Sequence, residues 1–205
     1  MNVLLVIVFA ISLIYLSIAE RFRVYAGLIG LQGVLLFALS FIELNTITLA
    51  TLLFVTLETL VFKVIIVPWL LFRIINKTGI ARAHEKSVPG FYSLIIVSLG
   101  LLLCVVVSFS MDTTPARMIY FTVALFAVFT GLFLIISHRK IFAHLVGFLV
   151  IENAVLLLSL SIGSEMPMLI NIGIMLDIFV SVLILGVFAM RLKEHTHELT
   201  LLKDD

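Results

Sequence analysis

The chain has 205 residues, of which 63% are apolar and 12% charged, and its mean hydropathy is +1.32. Soluble domains contain about 45–50% apolar and about 25% charged residues, so this composition indicates one integral membrane domain. The net charge of +1 gives no sign of binding to nucleic acid. The single cysteine, Cys104, excludes a disulfide framework and a thiolate-bound iron–sulfur or nickel–iron centre within this chain.

Seven segments are apolar for long enough to cross a bilayer, which takes about 20 helical residues. Polar or turn-forming residues separate them, and nothing alternates as the strands of a membrane barrel do. The sequence therefore predicts an all-α, polytopic helix bundle over residues 1–192 and a cytoplasmic tail over 193–205. The predicted spans are 2–19, 24–42, 47–72, 91–111, 117–137, 141–161 and 168–190.

The first span resembles a signal peptide only in its end, where Ser17-Ile18-Ala19 has the small residues of a cleavage site. A signal peptide carries basic residues before its apolar run, whereas Arg21 and Arg23 follow this one. We therefore expect a retained transmembrane helix.

The basic residues predict the orientation of the bundle. With seven spans, every Lys and Arg outside the membrane falls on one side except Arg117. Because positively charged loops stay in the cytoplasm, the N-terminus is predicted outside the cell and the C-terminus in the cytoplasm.

Two sets of three spans share a layout. Leu28-Ile29-Gly30 parallels Leu145-Val146-Gly147, and Leu57-Glu58 parallels Leu176-Asp177. This pattern favours a parallel repeat of spans 1–3 and 5–7 joined by the fourth. The alternative is that apolar helices resemble one another by composition alone.

Four charged residues lie inside the predicted spans, namely Glu58, Lys63, Glu152 and Asp177. Each charge at a helix centre costs about 2.5–3.5 kcal/mol on insertion scales. Counting helical rise places the three acids near the bilayer midplane, which suits a polar path that runs sideways or across the membrane. The pattern indicates proton or ion transfer; the alternative is that the charges neutralise one another and only fix helix packing.

The third span combines an acid, a base and a proline. Lys63 follows Glu58 by five residues, so on an α-helix the two side chains point about 140° apart and cannot pair. Lys63 is therefore expected to face Thr59 or an acid on another helix. Pro68 removes the donor for the carbonyl of Val64 and predicts a kink.

Other polar residues are predicted to support these charges. Asn153 and Gln32 are expected to be hydrogen-bond partners between helices. His144 lies nearly one turn inside the sixth span, where a proton relay and a solvated side chain are both compatible with the sequence. The pair His195 and His197 is not expected to bind a metal.

Three marks follow one another along the chain: Lys63 ahead of Pro68, the pair Glu152-Asn153, and Ile172-Gly173 followed by Asp177. By their order and spacing, residues 137–192 resemble the component E membrane subunit of hydrogenase-4 and of formate hydrogenlyase-type complexes, and residues 62–68 resemble the lysine-containing helix of that family. The resemblance covers nearly the whole chain.

Spans 5–7 more distantly resemble the K subunit of respiratory complex I and the matching subunit of multisubunit cation/proton antiporters. That family carries one acid in each of its last two helices. Asp177 matches the second acid, whereas Leu149 occupies the place of the first, with Glu152 three residues later on a similar face.

The resemblance implies a non-catalytic, multi-pass subunit of a group 4 nickel–iron hydrogenase or a related complex-I-like assembly in the cytoplasmic (inner) membrane of the cell. Partner chains would hold the nickel–iron and iron–sulfur centres, and this chain would hold no cofactor or metal. Those partners are peripheral hydrogenase subunits and antiporter-like and quinone-site-like membrane chains.

In the implied mechanism, Glu152 and Asp177 relay protons or sodium ions and Lys63 biases their protonation, with Glu58 as a further member. Two alternatives remain open. In the first, the chain is a structural scaffold between antiporter-like subunits. In the second, it is a subunit of a multisubunit cation/proton antiporter with no redox partner.

Overall fold

The computed structural model describes residues 2–43, 56–78, 89–110, 114–138 and 141–162. Every regular element in these ranges is a helix, which confirms the all-α fold for this part of the chain. The predicted seventh span at 168–190 and the tail lie outside the described residues, and Asp177, His195 and His197 lie there with them.

The helices begin and end within a few residues of most predicted spans. Four of them, at Phe22–Ile42, Gly90–Phe109, Pro115–Ser137 and Phe142–Ile162, are long and apolar enough to cross a membrane. The first helix is also apolar but has 17 residues. In chain order the elements are α1 (Asn2–Ile18), α2 (Phe22–Glu43), the π-helical segment π1 (Thr56–Ile66), α3 (Val67–Thr78), α4 (Gly90–Phe109), α5 (Pro115–Ser137) and α6 (Ile141–Ile162).

Large apolar side chains cover much of the outer surface. Leu99, Phe109 and Ile136 are each more than two-thirds exposed. Soluble monomers rarely leave extensive apolar surface in water, so this exterior supports a membrane location. The helix α4 is the most peripheral of the four candidate spans and turns a narrow stripe toward α1 and α5.

The hairpin of α5 and α6 is the tightest contact in the described bundle. The two helices touch through Gly131 and Gly147, where a Cβ added to either glycine would lie 2.6–2.7 Å from the carbonyl oxygen of the other. Small residues at a crossing let membrane helices approach at backbone distance. This contact fixes α6, which carries Glu152 and Asn153.

The turns before α2 and after α5 lie at the same end of the bundle. The Tyr25 hydroxyl donates to the carbonyl of Ala19 at 2.9 Å and lies 3.2 Å from Nε2 of His138. Both turns carry basic residues in the sequence, and we call them the two basic turns. The orientation of the bundle in the membrane stays a prediction.

The third predicted span begins its described part as a π-helix, whereas the sequence predicted an α-helix with a kink at Pro68. Its described part is π-helical over Thr56–Ile66 and α-helical over Val67–Thr78, six residues beyond the predicted end at 72. Pro68 is the second residue of α3, where a missing N–H is tolerated. In a π-helix the bonds join residues five apart, so Pro68 withholds a donor from Lys63 instead of Val64.

Two glycines of α2 pack against the junction of π1 and α3. A Cβ on Gly30 would lie 3.1 Å from Cγ of Pro68, and one on Gly33 would lie 3.1 Å from the backbone carbonyl of Lys63. The glycines therefore let α2 lie directly against the junction between π1 and α3.

The predicted repeat equates Gly30 with Gly147. Gly30 packs against Pro68 in a later element, whereas Gly147 packs against Gly131 in the preceding helix. Since the last span of the second set lies outside the described residues, the repeat stays a prediction.

Candidate functional site

A continuous chain of hydrogen bonds crosses the bundle from π1 to α1. The ammonium of Lys63 donates to Oδ1 of Asn153 at 3.2 Å, and Nδ2 of Asn153 donates to Oε1 of Gln32 at 3.1 Å. Nε2 of Gln32 then donates to Oγ of Ser12 at 3.1 Å, and this hydroxyl donates to the carbonyl of Phe9 at 2.6 Å. We call Lys63, Asn153, Gln32 and Ser12 the polar chain.

The polar chain is buried along its whole length. Lys63 is 5% exposed, Asn153 and Ser12 are each 3% exposed, and Gln32 is fully enclosed. Buried amides and cations are costly unless their hydrogen bonds are made. The hydrogen bonds therefore fix the positions of π1, α6, α2 and α1 relative to one another.

The direction of donation is the same at every step. A lysine ammonium can only donate, so Asn153 must turn its oxygen toward Lys63 and its NH₂ group toward Gln32. Gln32 in turn presents its NH₂ group to Ser12. The aligned amide dipoles thus point their negative ends toward the cation and stabilise its charge.

Glu152 lies beside the polar chain in α6. Its side chain is 6% exposed, and it follows Ile141, the first residue of that helix, by 11 residues. At 1.5 Å per residue this depth is about 16 Å, half of a helix that is about 33 Å long. Because Asn153 contacts Lys63, the ammonium lies at the same level as Glu152.

The π-helical winding corrects the geometry expected for Glu58 and Lys63. On an α-helix residues five apart diverge, but the bonds of a π-helix join residues five apart and bring them onto one face. The backbone of Glu58 therefore precedes Lys63 by one π-helical turn. The side chain of Glu58 lies outside the described part of the chain, whereas that of Thr59 is fully buried.

The predicted partnership of Asn153 and Gln32 between helices is confirmed by their hydrogen bond. His144 is half-buried, and its Nε2 atom bonds the backbone carbonyl of His138 at 2.6 Å. His144 therefore ties α6 to the preceding turn. Its part in a proton relay stays a prediction.

Sequence reasoning missed Ser12, which continues the polar chain into α1. A serine within an apolar helix usually bonds its own backbone, as Ser12 also does with Phe9. The spacing from Ser12 to Gln32 gives no sign that the two meet, because the turn between α1 and α2 sets their register. Only the packed helices bring them together.

A second buried cluster joins Tyr25 and His138 at one end of the bundle. The Tyr25 hydroxyl donates to the carbonyl of Ala19 and shares a hydrogen bond of 3.2 Å with Nε2 of His138. Nδ1 of His138 lies 2.9 Å from Oγ of Ser137 and 3.1 Å from the carbonyl of Leu134. His138 is only 4% exposed, although Arg139 and Lys140 follow it directly in the sequence.

The two clusters share one face of α2. Tyr25 and Gln32 are seven residues apart, which is two turns and about 10 Å of rise. The apolar side chain of Ile29 is buried between them on this face. The polar chain therefore runs across the helices, not along them.

Changing Tyr25 to Phe will test the second cluster. The variant loses the bonds to Ala19 and His138, and we expect it to lower the free energy of unfolding by about 1–3 kcal/mol. Tyr15→Phe is the matched control because Tyr15 is exposed on α1. Denaturant unfolding in detergent micelles measures both, and equal stability of the two variants would contradict a structural role for Tyr25.

Among the residues that the structure describes, no three His, Cys, Asp or Glu side chains form a group able to hold a metal ion. The ionisable groups described in this region are the ammonium of Lys63 and the carboxyl of Glu152, and both are buried. Such groups can hold a fixed charge and exchange a proton inside the membrane.

The chain is similar in sequence to a protein of Mycobacterium tuberculosis. The chain is 23% identical over 174 residues to "Uncharacterized protein Rv0085" of Mycobacterium tuberculosis, and the alignment covers 83% of this chain and 79% of that protein. No protein-family model matches the chain, and no solved structure matches it. The similarity extends over most of both chains and carries no stated activity.

Proposed function

We propose that this chain is a non-catalytic membrane subunit of a complex-I-like assembly, most specifically a group 4 nickel–iron hydrogenase. It would contribute buried charges to proton or sodium translocation coupled to electron transfer. The observation that carries the proposal is Lys63, an ammonium 5% exposed at the depth of Glu152 and held by a polar chain through three further helices. A lysine in such a position is rare in membrane helices and is typical of ion and proton pathways.

Each charged residue has a separate role in this proposal. Lys63 supplies a cation that biases the protonation of the acids, and its ammonium is held by the side-chain oxygen of Asn153. Glu152 takes up and releases the translocated proton, and the nearby cation biases that step. Asp177 is the second relay acid, as the resemblance to the component E family implies. Glu58 is a further member of the relay, proposed from its depth in the third span and not from that family.

The topology that accompanies this function has seven spans in the cytoplasmic (inner) membrane. The N-terminus lies outside and the C-terminal tail lies in the cytoplasm. The four long apolar helices and the shared end of the two basic turns support this arrangement. The polar chain then lies near half-depth and runs parallel to the membrane plane, toward adjacent subunits.

Purification in a mild detergent, followed by identification of the bound chains and their metals, tests the proposal. We expect antiporter-like and quinone-site-like membrane chains together with peripheral subunits that contain nickel and iron. Antiporter-like partners without metal would show instead a subunit of a multisubunit cation/proton antiporter. A chain that purifies alone from gently solubilised membranes would contradict the assembly altogether.

A structural scaffold is the second candidate, and one observation favours it. The amides of Asn153 and Gln32 hydrogen-bond each other between α6 and α2, and amide groups do not exchange protons as carboxyl groups do. In that case the buried groups fix helix packing, and substitutions among them would lower the yield of assembled complex without changing transport per complex.

A further inference from the structure

An open groove lies on the outer side of α3, at the same end of the bundle as the two basic turns. It has a volume of about 500 Å³ and is lined by Trp69, Phe72, Arg73 and Asn76. The guanidinium of Arg73 lies over the face of Trp69, 5.1 Å from the ring centroid. Arg23, at the start of α2, donates from Nη2 to Oδ1 of Asn76 at 3.4 Å.

Two guanidinium groups lie at the groove, since Arg73 lines it and Arg23 hydrogen-bonds the lining residue Asn76. Arg73 comes from α3 and Arg23 from α2, and both side chains are exposed. Guanidinium groups bind phosphate oxygens with paired, charge-assisted hydrogen bonds. The carbonyl end of α3 is partially negative and would repel an anion, so any phosphate bound here depends on these arginines.

The side chains that line the groove change along α3, from apolar Trp69 and Phe72 to cationic Arg73 and polar Asn76. Trp69, Arg73 and Asn76 are four and three residues apart and form one stripe that runs toward the helix end. Trp69 is 55% exposed on the membrane side of the stripe, and the polar residues lie nearer the end of the helix. Tryptophan is enriched where headgroups meet hydrocarbon, and basic pockets between helices on the cytoplasmic side bind anionic lipid headgroups.

We propose that this groove binds the phosphate headgroup of an anionic phospholipid. Arg73 and Arg23 pair with the phosphate oxygens, and Trp69 and Phe72 contact the glycerol and the start of an acyl chain. The apolar wall favours a lipid over free phosphate, which has nothing to place against Trp69. This site is independent of the proposed role in ion translocation, since it requires only that the chain lies in a membrane.

Native mass spectrometry of the full chain, extracted in a neutral detergent with whatever subunits remain bound, tests the site. Phosphatidylglycerol and phosphatidylcholine are titrated separately. We expect phosphatidylglycerol to bind at least about tenfold more tightly, and Arg73→Gln or Arg23→Gln to weaken it roughly tenfold because each removes a charge-assisted bond. Phosphatidylcholine has the same phosphate but no net charge, so we expect its weaker binding to fall less than that of phosphatidylglycerol in either variant.

Arg117→Gln is the matched control. It removes the same charge from the first turn of α5, at the opposite end of that helix from His138, and we expect wild-type binding. Equal phosphatidylglycerol binding by the Arg23→Gln, Arg73→Gln double variant and by Arg117→Gln would overturn the proposal. Displacement of the lipid by millimolar inorganic phosphate would overturn the proposal and indicate a site for free phosphate. A partner subunit that covers the groove in the intact complex would also overturn the proposal and indicate a protein interface.

Discussion

Under the proposed function, we expect replacement of Glu152 by glutamine to abolish coupled ion transport while the complex stays assembled. Glutamine has nearly the same shape as glutamate and keeps hydrogen-bonding capacity, but it cannot take up a proton. The side chain is buried at half the length of α6, at the level of the Lys63 ammonium, so no other described carboxyl replaces it there. Proton or sodium uptake into inverted membrane vesicles measures the effect, with hydrogen chemistry recorded in the same vesicles.

Glu20→Gln provides the control for this experiment. It makes the same chemical change on an exposed turn between α1 and α2, where we expect no loss of transport. Normal transport in the Glu152→Gln complex would remove Glu152 from the pathway. A drop in assembled complex, with unchanged transport in the complexes that do form, would instead support the scaffold.

Alanine at Gly131 will destabilise the bundle by forcing apart its closest helix crossing. The added Cβ would lie 2.6 Å from both the carbonyl oxygen of Gly147 and Cγ1 of Ile151, so α5 and α6 must separate. Overpacking of this kind costs about 1–3 kcal/mol. The free energy of unfolding in detergent micelles measures the loss, and Gly147→Ala should behave alike because the contact is reciprocal.

Gly27→Ala is the matched substitution for this test. Gly27 is also helical, but a Cβ there would meet nothing within 4 Å. Alanine favours helix over glycine by about 0.5–1 kcal/mol, so this variant should be as stable as wild type or slightly more stable. A loss at Gly27 as large as that at Gly131 would show that the glycines matter for a reason other than the helix crossing.

The described helices were predictable from hydropathy because the membrane imposes a simple requirement. Each span must be apolar for about 20 residues and must satisfy its own backbone, and this requirement is local in sequence. The same reasoning found Gln32 and Asn153, since an amide in a lipid-facing helix needs a partner on another helix. Polarity inside an apolar run was therefore the useful signal for the site.

The winding of π1 could not be predicted in this way. A π-helix differs from an α-helix in joining residues five apart instead of four apart. When nearly every position is apolar, hydrophobic periodicity cannot distinguish the two. Pro68 indicated an irregularity but not its kind, because the outcome depends on how Gly30 and Gly33 receive the segment. Tyr25 and His138 were missed for a similar reason, since their contact depends on two turns meeting in space.

The hydrogen bond between Gln32 and Asn153 has a consequence for biogenesis. The two residues are 121 positions apart, so Gln32 leaves the ribosome long before its partner. At about 5–20 residues per second, synthesis of the intervening segment takes roughly 6–24 seconds. During that interval the side-chain oxygen of Gln32 lacks its Asn153 donor, and the Lys63 ammonium, once made, lacks its Asn153 acceptor. Water or the translocon must therefore hydrogen-bond these groups until α6 is inserted.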